Sequence, residues 1–176
     1  MRDLDPGYFA VVMATGILAT SSRSLGLLPI SWILLAIAIL SYLVLVGLNG
    51  LRVLYHHSAI VRDLGRPGRS FGFFTFVAAS NVLSLAMVKL DFEIPAFVLG
   101  LLGTAAWIFL TYAVPLRLIL GGANSMEFVN GTWLLWVVAT QSVASAFASA
   151  AVSGGTGPAS AFSLIGFMAW GLGVIL

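Results

Sequence analysis

The stretches FAVVMATGILA (9–19) and FTFVAASNVLS (74–84) align without a gap, and VVATQSVAS (137–145) carries the same centre. Phe9 falls on Phe74, Val12 on Val77 and Ala14 on Ala79. A hydroxyl is then followed by a glycine or an amide three times, as Thr15-Gly16, Ser80-Asn81 and Thr140-Gln141. Each stretch lies in an apolar segment. A signature that returns about every 60 residues, with two apolar segments per period, makes the repeating unit a helical hairpin.

Composition sets the solvent. Of 176 residues, 60% are apolar and 8% charged, and the mean hydropathy is +1.08, whereas roughly a quarter of the residues in soluble domains are charged. The chain reads as an all-α integral membrane protein, a single transmembrane domain over residues 1–176. A bilayer core of about 30 Å needs about 20 apolar residues in a helix. Spans are predicted over 7–27, 31–54, 70–90, 94–117, 129–152 and 159–176, which pair into hairpin units 7–54, 70–117 and 129–176. The breaks are Leu28-Pro29, the basic run RDLGRPGR (62–69), DFEIP (91–95), GGANSME (121–127) and SGGTGP (153–158). Pro115 falls inside the fourth span and predicts a kink or an early end there. The last segment stops at GVIL with no closing loop, so the chain is expected to be the N-terminal part of a longer one.

Arg2, Arg52, Arg62, Arg66, Arg69 and Arg117 fall on one side of the membrane in this topology, and only Arg23 and Lys89 on the other. The positive-inside rule then places the N-terminus in the cytoplasm of a multi-pass cell-membrane protein. Arg62, Arg66 and Arg69, in a loop with His56-His57, form a surface expected to face lipid headgroups. Adjacent histidines on a helix end point about 100° apart, and no carboxylate ligand accompanies them, so no metal site is expected. Cysteine is absent, which removes thiolate nucleophiles and Cys-bound metals. No cofactor and no nucleic-acid partner is expected.

Polar residues recur at helical spacing on the odd-numbered spans: Gly16 and Thr20, Ser80 and Ser84, then Gln141, Ser145 and Ser149. The second span, WILLAIAILSYLVLVGL (32–48), is bulkier and plainer. An inner ring of odd spans around a pore, wrapped by an outer ring of even spans, is the expected arrangement. Two readings of the polar triplets stand side by side. They are dry packing contacts, each hydrogen bond contributing about 0.6 kcal/mol, or they line an aqueous path. In the second reading the lining is Thr15, Gly16, Ser80, Asn81, Ser84, Thr140, Gln141 and Ser145, with the repeat-equivalent Phe9 and Phe74 facing it. Recurrence at one repeat position favours the path.

No Asp, Glu, Lys, Arg or His lies in the middle of any span, and residues 128–176 contain none. A proton relay or a tightly coupled carboxylate carrier usually needs such a group. Neutral O–H and N–H donors stabilise an anion weakly and let it leave.

The segments PGYFAVVMATGILA (6–19), RSFGFFTFVAASNVLS (69–84) and NGTWLLWVVATQSVA (130–144) resemble the first, third and fifth helices of the tellurite-resistance/dicarboxylate transporter family. That family includes the slow-type anion channels of plant guard cells and fungal malic-acid permeases. The resemblance implies ten helices in five tandem hairpins, about six of them in this chain, with odd helices around a central pore and a homotrimer with one pore per subunit. The family's gating phenylalanine, on its ninth helix, has no counterpart here. The implied activity is an anion channel or permease for small inorganic anions. A proton-coupled C4-dicarboxylate or malate carrier of the same fold is the alternative, and a non-transporting structural or sensor subunit is the third reading. No nucleophile, base or metal cluster suggests an enzyme.

Overall fold

The computed structural model describes residues 4–120, 131–153 and 159–176; Arg2, Asn130, the segment GGANSME and residues 154–158 lie outside them. The helices are α1 (Phe9–Ser24), α2 (Leu28–Leu64), the short α3 (Pro67–Ser70), α4 (Phe74–Val88), α5 (Glu93–Leu120), α6 (Leu134–Ser153) and α7 (Ala159–Ile175). Among the described residues four helices are long and apolar enough to cross a membrane: Leu28–Tyr55, Phe71–Val88, Glu93–Leu120 and Gly131–Val152. The helix of the first predicted span, α1, has only 16 residues, and α7 has 17.

The repeat persists in the backbone. Each of α1, α4 and α6 is entered through a three-residue 3-10 turn, Pro6–Tyr8, Phe71–Phe73 and Gly131–Trp133. The first two hairpins also turn alike. Gly26 (φ 77°) and Asp91 (φ 61°) occupy the same repeat position in the left-handed region. Their N–H groups donate to the carbonyls of Arg23 and Val88, and the next residues, Leu27 and Phe92, donate to Ser22 and Met87. These bonds satisfy carbonyls that the helix ends would otherwise leave open.

Helix α4 packs between α1 and α6, while α2, α5 and α7 each pack along the inner helix of their own hairpin. The result is two layers, with α1, α4 and α6 inside and α2, α5 and α7 outside. One apolar core lies at each joint between hairpins. Phe9, Val12, Tyr42, Leu83 and Met87 belong to the first; Phe74, Val77, Leu110, Val114 and Val143 belong to the second. The outer helices keep large apolar residues exposed at helical spacing, as Ile33, Ile37, Leu40 and Val44 on α2, and Phe97, Leu101, Ile108 and Tyr112 on α5. In a bilayer these stripes face acyl chains.

Two spans differ from expectation. Helix α2 does not stop near residue 54 but runs for 37 residues to Leu64, about 55 Å at 1.5 Å per residue. Helix formation does not require apolar side chains, so the amphipathic stretch after Tyr55 continues the helix beyond the apolar window, through His56 and His57, until Gly65 caps it. Helix α5 continues past Pro115 to Leu120.

Candidate functional site

The triplets on α4 and α6 sit where several helices meet, whereas the one on α1 meets α4 at Gly16. On α4, Ser80 is fully buried. Its hydroxyl donates to the Phe76 carbonyl at 2.8 Å, so the Tyr42 hydroxyl, 2.8 Å away on α2, is the donor of their mutual bond. On α6, Thr140 repeats the arrangement. Its hydroxyl donates to the Trp136 carbonyl at 2.9 Å and accepts from the indole N–H of Trp107 on α5 at 2.9 Å. Tyr42 and Trp107 are 65 residues apart, the same offset that relates Phe9 to Phe74. Thus an aromatic donor on the outer helix of one hairpin clasps the triplet hydroxyl on the inner helix of the next.

The aromatic residues repeat in the same way. Phe9 meets Phe76 edge-on at 5.1 Å and Tyr42 at 6.0 Å. Phe74 stacks on Trp136 at 6.0 Å and on Phe71 at 6.1 Å. Both Phe9 and Phe74 are buried within these clusters.

The third member of each triplet fills a notch. Gly16 lies against Val82, and a methyl group on it would come within 2.7 Å of Val82 Cγ1. Asn81 donates from Nδ2 to Ser142 Oγ on α6 at 3.1 Å. Its Oδ1 has no hydrogen-bond partner and lies 2.7 Å from where a Cβ on Gly103 of α5 would stand. Gln141 donates from Nε2 to the Trp170 carbonyl at 3.2 Å and packs on Gly173. Ser84 ties its hairpin together by donating to the Ala96 carbonyl at 2.6 Å.

The structure therefore joins Ser80, Asn81, Ser84 and Thr140 into buried polar contacts between helices. Thr15, Gln141 and Ser145 lie on less covered faces. The Thr15 hydroxyl donates to the Val11 and Val12 carbonyls of its own helix, and that of Ser145 donates to the Gln141 carbonyl at 3.0 Å. None of these groups is ionisable. Among the described residues no group of His, Asp and Glu is placed to hold a metal ion.

Of the basic surface, Arg62 and Arg66 are exposed, while Arg69 approaches Asp63 at 3.5 Å. Asp63 is buried and pairs with Arg52, which is 1% exposed. This pair is absent from the sequence expectations, although eleven residues is three helical turns and sets both on one face. Eleven residues of straight helix also rise about 16.5 Å, farther than the two side chains reach, so α2 bends between them.

A protein-family model described as SLAC1, voltage-dependent anion channel, matches residues 3–176. No curated protein and no solved structure matches the chain. The family match spans all three hairpins and agrees with an all-helical chain that has four membrane-span candidates among the described residues. The chain belongs to the SLAC1 voltage-dependent anion channel family, whose members are channels and transporters and not enzymes.

Proposed function

We propose that α1, α4 and α6 form part of the wall of a neutral path for small inorganic anions, in a homotrimeric cell-membrane channel with its N-terminus in the cytoplasm. Thr15, Gln141 and Ser145 line the path. Ser80, Asn81, Ser84 and Thr140 are the polar layer directly behind it, and Gly16, Phe9 and Phe74 set the helix contacts that hold it. The observation that carries this reading is the inner layer itself: polar at a repeated level, yet free of ionisable side chains from Phe9 to Thr20, along α4 and along α6.

Hydroxyl protons on this wall rest on carbonyls of their own helix. A hydroxyl can rotate, so a passing anion exchanges one hydrogen bond for another at little net cost. Binding is then weak enough for exit, as conduction requires. The six basic residues assigned to one side of the membrane support the orientation.

The test is anion flux from liposomes carrying the full chain, wild type against Gln141→Leu and Ser145→Leu, across a pH step. Nitrate and chloride flux that is lowered by either substitution and indifferent to pH supports the path. Uptake of malate that needs a proton gradient would replace it with the coupled dicarboxylate carrier, and flux unchanged in both variants would remove these residues from the lining.

A further inference from the structure

The joint between the first and second hairpins departs from the repeat at one end, and the departures converge. At the C-terminal ends of α1 and α4, a shallow cleft is bounded by Arg23, Lys89 and Trp32, with Leu35, Ala86 and Leu90 as its floor. At the corresponding joint between the second and third hairpins, the repeat positions of Arg23, Trp32 and Lys89 are Val88, Phe97 and Ser149. Both cations and the indole are therefore particular to this cleft and not a by-product of the hairpin fold.

We propose that this cleft holds an anionic phospholipid, its phosphate between Arg23 and Lys89 and an acyl chain along Trp32 and Leu90. The Arg23 guanidinium lies 5.8 Å from the centre of the Trp32 ring, within cation–π range, so one phosphate ligand is already positioned. The cations end helices whose C-terminal dipoles favour positive charge. The hydroxyls at the cleft donate inward, Thr20 to the Gly16 and Ile17 carbonyls and Ser31 to the Ala19 carbonyl. Recognition of the headgroup thus falls to the two charges.

A free inorganic anion fits this cleft less well than a lipid. The floor is hydrocarbon, Trp32 is half-exposed, and Leu25 and Leu28 beside it are exposed; a tryptophan in that setting marks the membrane interface. The exposed carboxylates Asp91 and Glu93 follow Lys89 across the turn, yet among the described residues neither pairs with Lys89 or Arg23. An anion bound there competes with no carboxylate among the described residues.

The experiment is native mass spectrometry of the full chain in detergent with dioleoylphosphatidylglycerol added. Wild type should retain a lipid adduct whose apparent affinity falls about tenfold in Arg23→Gln and again in Lys89→Gln, because a charge-assisted hydrogen bond contributes at least the equivalent of one decade. Arg117→Gln, at an exposed position on α5, should leave the adduct unchanged. Trp32→Leu keeps both charges and the apolar rim and should also weaken the adduct, by unseating Arg23. An adduct equally strong in the Arg23→Gln/Lys89→Gln double variant overturns the proposal. So does displacement of the lipid by excess glycerol 3-phosphate, which would make the cleft a site for free anions.

Discussion

Tyr42 on α2 and Ser80 on α4 place their hydroxyl oxygens 2.8 Å apart, and the Trp107–Thr140 pair makes the same clasp one hairpin later. The pair joins an outer helix to the inner helix of the next unit, so it sets the angle between hairpins. Tyr42→Phe removes the donor while keeping the ring against Phe9 and Phe76. The expected loss is about 0.6–1.7 kcal/mol of stability, the range for such bonds in membranes. Trp107→Phe should cost a similar amount, and the two losses should add, because the clasps belong to different joints. Equilibrium unfolding in mixed micelles checks this. A double variant no less stable than either single one would mean the clasps are one cooperative unit.

The two hairpin turns predict opposite responses to glycine. Gly26 and Asp91 share a left-handed backbone conformation at the same repeat position. A side chain with Cβ is disfavoured there by roughly 1–2 kcal/mol, less for Asp. Gly26→Ala should therefore destabilise the first hairpin by about 1 kcal/mol, and Asp91→Gly should stabilise the second by somewhat less. Melting temperatures of the two variants should move in opposite directions from wild type.

A third prediction concerns the notch at Gly103. A methyl group there meets Asn81 Oδ1 at 2.7 Å and Cγ at 3.0 Å, and Asn81 is 1% exposed and tied to Ser142. Gly103→Ala should cost about 1–3 kcal/mol, the usual range for overpacking. Combining it with Asn81→Ala removes the clash, so the pair should show a favourable coupling of 0.5 kcal/mol or more in a double-mutant cycle. Simple additivity would show that α4 and α5 separate freely and that the notch holds nothing in register.

Much of this arrangement is legible from the inner segments, because their signature survives at Thr15, Ser80 and Thr140, and periodicity then yields the hairpins and the two layers. The outer segments hide their part. Tyr42 and Trp107 share a repeat position, but one offers O–H and the other N–H, and the apolar residues around them differ. Helical spacing could not show which way a hydroxyl turns. Ser80 and Ser84 fall one turn apart on one face, yet the first accepts from the preceding hairpin and the second donates within its own. Repeat equivalence pairs Phe9 with Phe74, but that the first packs on Phe76 and the second on Trp136 is a tertiary fact. Helix α2 outruns its apolar window to Leu64, because hydropathy measures the bilayer and not the helix.

The buried pair Arg52–Asp63 yields the largest expected effect. Its side chains are 1% and 5% exposed, and Arg69, 31% exposed, adds a second cation at 3.5 Å from the same carboxylate. Asp63→Asn removes the carboxylate that faces buried Arg52, and breaking a buried ion pair on one side typically costs about 3–5 kcal/mol. Arg69→Gln breaks a longer, partly solvated contact and should cost under about 1 kcal/mol. If the pair serves only to hold the bend of α2 and the turn into α4, then Arg52→Met with Asp63→Leu should restore most of the stability lost in Asp63→Asn, since apolar replacements of buried pairs are often neutral. Flux measured on the same proteins separates structure from conduction. A double variant that is stable yet altered in its chloride-to-nitrate permeability ratio would give the pair an electrostatic role at the mouth of the path, whereas an unchanged ratio would confine it to folding.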